Sequence, residues 1–229
     1  MSKHALEVSA LPIAELSPAS AAPDAESAPR RPANMRRSFF HVASGLFALS
    51  VLHLLPTRTW VIAAAIAFAV FAWTCETLRR RSPAVNARLM RIFAPIAHAN
   101  EHHEVNSSTW YITALLLLAL FAPLRAAEIG VIVLAFADPA AGFVGRRWGR
   151  TRIRSGRSLE GTLAFVVAGT IPAAAWLAGL GVAAAPAVIV AAAGAIVGAI
   201  AEIAVTRVDD NFAIPVAATT AAAVAQMLV

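Results

Sequence analysis

Residues 184–205 read AAPAVIVAAAGAIVGAIAEIAV, twenty-two residues whose single charge, Glu202, stands near the far end. A helix of that length spans roughly 33 Å, enough to cross a bilayer core of about 30 Å. Six further apolar runs flank it, at residues 39–55, 60–78, 109–122, 126–144, 159–180 and 212–229, with Pro, Gly or charge between them. The pattern predicts an all-α polytopic membrane protein of about seven transmembrane helices, the run at 109–122 being short. Composition agrees. The 229 residues are 59% apolar and 14% charged, with a mean hydropathy of +0.69, which leaves too little polar surface to clothe a water-soluble globule.

The formal charge of +6 would suggest a nucleic-acid partner in a soluble protein. Here the arginines lie in links between apolar runs, so no nucleic acid is expected. Sixteen fall in segments 30–37, 79–107, 145–158 and 206–211, whereas only Arg58 and Arg125 fall on the other side. The positive-inside rule then puts the amino terminus in the cytoplasm and the carboxyl terminus outside, as in a multi-pass protein of a bacterial inner membrane. Residues 1–29 are rich in Ala, Ser and Pro and carry Glu7, Glu15, Asp24 and Glu26, so residues 1–35 are expected to be a disordered cytoplasmic tail and 36–229 a membrane domain. Within residues 85–96, Val85, Leu89, Ile92, Phe93 and Ile96 share one helical face and Arg88 and Arg91 another, which suits a helix lying along the cytoplasmic leaflet. Gly194 and Gly198, four apart, permit close helix packing. Cys75 is the only cysteine, so neither a disulfide nor a cysteine metal site is available.

The acids are segregated. Of nine outside the tail, Glu128 alone is predicted near the outer face, while Glu76, Glu101, Glu104, Asp138, Glu160, Glu202, Asp209 and Asp210 lie at or toward the cytoplasm. An ionised carboxylate near hydrocarbon costs a few kcal/mol, so such groups face a partner, an ion or a wet cavity, unless they are helix-end charges among the headgroups. Asp138 precedes Pro139 in an apolar run. Proline disfavours helix before it and suits a helix start, so the fourth span is expected to break there and aim a helix amino terminus into the protein; a packing kink is the other reading. The following loop, residues 145–161, reads GRRWGRTRIRSGRSLEG. Its glycines would let backbone N–H groups approach a phosphate and its arginines would clamp the oxygens, although a plain positive-inside loop explains several of those charges. Asp209, Asp210 and Asn211 are adjacent oxygen donors of the kind Mg²⁺ takes when it arrives with phosphates, and also common helix caps. His41 is an interfacial histidine or a phosphate contact. The cluster Glu101, His102, His103, Glu104 lacks the spacing of a zinc protease.

In this order the pieces resemble the dolichol kinase, phytol kinase and CTP-dependent diacylglycerol kinase family of integral membrane lipid kinases, over roughly residues 36–229. The motifs are RRSFFHVASG at 36–45, Glu76 with Arg79, DPAAGFVGRRWG at 138–149, GRSLEGTLA at 156–164, and Glu202 with DDNFAIP at 209–215. Arg157 stands where the family commonly has lysine, which keeps the charge but not an amine that can lose its proton. The resemblance implies transfer of the γ-phosphoryl of a nucleoside triphosphate, CTP by likeness, to the hydroxyl of a membrane lipid alcohol such as a polyprenol, phytol or diacylglycerol, with Mg²⁺ as cofactor. It implies Asp138, Asp210, Glu160 and Arg157 as catalytic groups and Asp138, Asp209, Asp210 and Asn211 at the metal. Nucleotide phosphates would lie on Gly145, Gly149, Gly156, Ser158, Gly161, Arg37 and His41, with Glu76 and Glu202 in support. Two other readings are a CDP-lipid synthase, whose carboxy-terminal glycine and Asp-Arg signature is not found, and a small transporter, against which the polar groups gather at one face.

Overall fold

The computed structural model describes residues 35–93, 104–153, 156–205 and 207–229. The expected tail, and with it Ile96, Glu101, His102, His103 and Arg154, lies outside the described residues, apart from Met35. The described residues form eight helices joined by short links, with a single isolated β-bridge. The helices are α1 (Met35–Leu54), α2 (Arg58–Arg81), α3 (Pro83–Phe93), α4 (Ser107–Phe121), α5 (Leu124–Trp148), α6 (Leu159–Gly179), α7 (Ala184–Ala204) and α8 (Asp210–Gln226). All seven apolar runs are helices. Five of these (α1, α2, α5, α6 and α7) are long and apolar enough to cross a membrane, whereas α4 and α8, with 15 and 17 residues, fall short of a straight crossing. Their outer faces require lipid. Phe39, Phe47, Trp60, Phe71, Leu163 and Ile171 are all more than half exposed, an apolar rind that no water-soluble protein carries.

The core is built on α5, buried at every residue from Ala126 to Ala135 between α1, α6, α7 and α8. Small residues let the backbones meet. A Cβ on Gly194 would stand 3.1 Å from Ile129, and one on Gly198 would stand 3.3 Å from Val133, so the two glycines four apart do seat α7 on α5. Gly45 brings α1 onto Ala135 in the same way.

The expected break at Asp138 does not occur. α5 continues through Pro139 to Trp148 as one helix, so no helix amino terminus points inward there. An interior proline forfeits one backbone hydrogen bond and costs about 3 kcal/mol, which the burial of the ten-residue stretch before it outweighs; in lipid the alternative of unpaired backbone costs more. Pro172 and Pro215 are likewise inside α6 and α8, and α8 starts five residues before Pro215, at the cap formed by Asp209. α3 is the expected short amphipathic helix, but its inward face is Val85, Asn86, Leu89 and Met90, with Ile92 turned out at 69% exposure. On that inward face Asn86 accepts from Arg79 at 3.3 Å.

Candidate active site

One end of the helical unit collects the starts of α1, α4, α6 and α8 and the ends of α2, α5 and α7. Among the described residues the acids gather there as the sequence predicted, with Glu128 at the opposite end. At the centre lies Arg157, on the loop before α6. Its guanidinium stands 2.9 Å from Glu202 near the end of α7 and 3.1 Å from Asp210 at the start of α8. Burial works against this cation, but Glu202, Asp210 and Asp138 together outweigh it and hold the guanidinium above its ordinary pKa. Arg157 is therefore charged at every working pH. Asp138, on α5, faces the same group about 15 Å in from the helix end, and His41 of α1 brings Nε2 within 3.9 Å of it.

Asp209 and Asn211 shape the start of α8. Asp209 caps the helix, accepting from the Asn211 N–H at 2.9 Å and the Asn211 side chain at 2.8 Å, while its other oxygen accepts from the Ser107 hydroxyl of α4 at 2.9 Å. The Asn211 amide also donates to Asp210 at 3.1 Å. Trp110 against Phe212, ring centres 5.8 Å apart, closes α4 onto α8. Sequence reading overlooked Ser107, which carries no motif and becomes visible only once α4 and α8 are seen to be neighbours.

No three described acidic or histidine side chains converge as a preformed metal cage. Every carboxylate oxygen of Asp209 and Asp210 already accepts from a protein donor. A Mg²⁺ ion that arrives on nucleotide phosphates needs only one or two protein carboxylates, so a preformed cage is not required of such a site.

The glycine-rich loop departs from expectation. The Gly149 N–H bonds the Gly145 carbonyl, and Gly145 lies inside α5, so neither offers a free backbone cradle. Instead Gly145, Gly149 and Gly161 close around Ser158, which is buried and caps α6 by accepting from the Gly161 N–H at 3.1 Å. Glycine is needed here because α5 and α6 meet backbone to backbone. The loop folds back on itself through Ile153 N–H to Arg157 O and Leu159 N–H to Thr151 O, turning at Gly156 with φ +73°. Glu160 braces this turn by accepting from the Thr151 N–H at 3.1 Å and stands apart from the carboxylate cluster. Arg37 is half-buried one turn before His41.

Glu76 makes its bonds away from Arg157. It is buried and takes both ends of the Arg79 guanidinium, at 2.8 and 2.9 Å, with Arg80 at 2.6 Å. Arg79 in turn reaches Asn86 and the Glu104 carbonyl, so this pair ties α2 to α3 and to the segment entering α4.

The chain is similar to CTP-dependent diacylglycerol kinase 1 of Eremothecium gossypii, with 28% identity over 141 residues, covering 60% of this chain and 44% of that protein. It is also similar to CTP-dependent diacylglycerol kinase 1 of Schizosaccharomyces pombe, with 26% identity over 135 residues, 58% of this chain and 62% of the relative. The matches thus span about half the length of these curated relatives. No family model and no solved structure matches the chain.

Proposed function

We propose that this relative of the CTP-dependent diacylglycerol kinases transfers the γ-phosphoryl of a nucleoside triphosphate, CTP by that kinship, to the hydroxyl of a membrane lipid alcohol. The observation that carries the reading is the carboxylate cluster of Asp138, Glu202 and Asp210 around Arg157, at one end of an apolar helical unit. Three carboxylates against one guanidinium leave the site net negative, so a bare triphosphate would be repelled. Mg²⁺, held by Asp138 and Asp210, would neutralise the phosphate oxygens and the charge that develops on the leaving diphosphate.

Phosphoryl transfer asks the protein mainly for position and charge. A bond forms between the lipid oxygen and the γ-phosphorus as the bridge to the β-phosphate breaks, and the hydroxyl proton must leave. Asp138 suits its reception, since it accepts no hydrogen bond among the described residues, with His41 Nε2 at 3.9 Å and the Arg157 guanidinium facing it. Arg157 holds Glu202 and Asp210 in place, while exposed arginines of the 146–152 loop stand where a triphosphate arrives from water. We assign this end to the cytoplasmic side of the inner membrane, by the arginine asymmetry.

Purified protein in detergent, given Mg²⁺, CTP or ATP and a panel of polyprenol, phytol, farnesol and diacylglycerol, tests the reading. Nucleoside diphosphate with a phosphorylated lipid is expected, and chelation should stop it. Pyrophosphate would move the chain to the cytidylyltransferases, and silence across the panel would overturn the kinase reading.

A further inference from the structure

α1 packs on α5 and α2 packs on α4, yet α1 and α2 do not pack closely on each other despite the short link between them. Between α1 on one side and α2 with α4 on the other lies a cleft of about 180 Å³, lined almost wholly by apolar side chains. Phe47 and Phe68, edge to face at 5.9 Å, bridge its lipid side and are themselves lipid-exposed. A second cavity of about 120 Å³ continues it toward Leu55, Thr57 and Arg58, and the two share Leu52, Val61 and Ala119. From Phe40 to Leu55 the path runs roughly 22 Å along α1, longer than one leaflet of a bilayer core.

The two ends differ. At the Phe40 end the lining turns polar with Ser44 and Ser108. Each adjoins the carboxylate site: Ser44 bonds the backbone of His41, which faces Asp138, and Ser108 follows Ser107, which holds Asp209. Tyr111, the chain's one tyrosine, also lines the cleft and has no hydrogen bond among the described residues, leaving its hydroxyl for a ligand. The far end offers Leu118, Leu124 and Ala127 beside Thr57 and Arg58, whose guanidinium is taken up by the Ala119 and Leu120 carbonyls.

We infer that the α1–α2–α4 cleft holds one hydrocarbon chain of the lipid alcohol, hydroxyl end at Ser44 and Ser108 and tail toward Leu55. This rests on the kinase reading for the identity of the alcohol, though not for the presence of a chain. An apolar crevice open to hydrocarbon, as long as a lipid tail and continuous with a polar site at one end, is filled in a membrane by such a chain, because its walls beside α1, α2 and α4 are almost wholly apolar.

Photolabelling of the full chain in nanodiscs tests this without turnover. Two long-chain alcohols would be used, one with a diazirine near the hydroxyl and one near the tail. The first should label the region of Ser44 and Ser108, and the second the region of Leu55 and Leu118. Labels on the outer faces of α6 and α7, or no difference between the probes, would overturn the inference even if the kinase assay succeeds. Ordered labelling with no turnover would keep the cleft and sink the kinase reading. As a second arm, Ala65→Trp narrows the cleft from α2 and should raise KM for the lipid by about tenfold with KM for CTP unchanged, whereas Ile171→Trp on the exposed face of α6 should alter neither. An unaltered lipid KM in a folded Ala65→Trp protein would count against the cleft.

Discussion

Arg157 and Glu202 form a 2.9 Å ion pair between a loop arginine with a third of its side chain exposed and an α7 carboxylate that is 2% exposed. The asymmetry decides what each does. Glu202 cannot reach water, so its charge depends on the guanidinium, while Arg157 stays partly open to water and also pairs with Asp210.

Removing the arginine should therefore cost stability before chemistry is considered. Arg157→Ala leaves a buried carboxylate unpaired, a change that costs about 3 kcal/mol when one partner of such a pair is lost, and should lower the thermal midpoint in detergent by several degrees. Adding Glu202→Gln should restore the midpoint without restoring turnover. Arg157→Lys, which installs the lysine common in the resembled family, should keep the fold and retain measurable turnover. A midpoint unmoved by Arg157→Ala would mean that the pair does not organise the site.

Asp138→Asn and Asp210→Asn should act on turnover rather than on folding. Asp210 is about one-third exposed and its pair with Arg157 is worth about 0–1 kcal/mol. Each substitution should lower kcat/KM by roughly a hundredfold, in the range seen for loss of general-base or charge-stabilising groups, with the thermal midpoint nearly unchanged. Near wild-type turnover in either folded variant would remove that residue from the site.

The helices were legible in the sequence because a long apolar run in lipid has one way to satisfy its backbone. Asp138–Pro139 was misread for a related reason: the local preference at a residue before proline is real, yet in α5 it is opposed by burial on every side, which no local window registers. The gathering of the described acids at one end was legible from their segregation along the sequence. Their pairing was not, since Arg157 meets Asp210 across 53 residues and Ser107 meets Asp209 across 102. Glu76 and Arg79, one helical turn apart, were visible together, but their isolation from water was not.

That isolation separates Arg79 from its neighbour. Arg79→Ala strips a bidentate partner from buried Glu76 and should destabilise by about 3–5 kcal/mol, enough to lose the folded protein during purification. Arg80→Ala removes a contact whose arginine is 47% exposed and should cost under about 1 kcal/mol. Equal losses for the two, read as thermal midpoints, would contradict the anchoring role given to the Glu76–Arg79 pair.

The loop glycines invite the opposite contrast, between packing and phosphate binding. A Cβ on Gly149 would lie 2.2 Å from the Gly145 carbonyl oxygen and 2.6 Å from the Ser158 hydroxyl, positions that cannot shift without parting α5 from α6. A Cβ on Gly156 would meet nothing within 4 Å, and only its left-handed φ of +73° resists substitution. Gly149→Ala should therefore lower stability by roughly 1–3 kcal/mol, as overpacking does, and Gly156→Ala by about 1 kcal/mol from backbone strain. If Gly149 serves packing, the Gly149→Ala protein that remains folded at low temperature should bind nucleotide with near wild-type affinity. If instead its midpoint is unchanged and nucleotide affinity falls tenfold, the backbone at Gly149 is a phosphate ligand, and the α5–α6 junction must open when nucleotide binds.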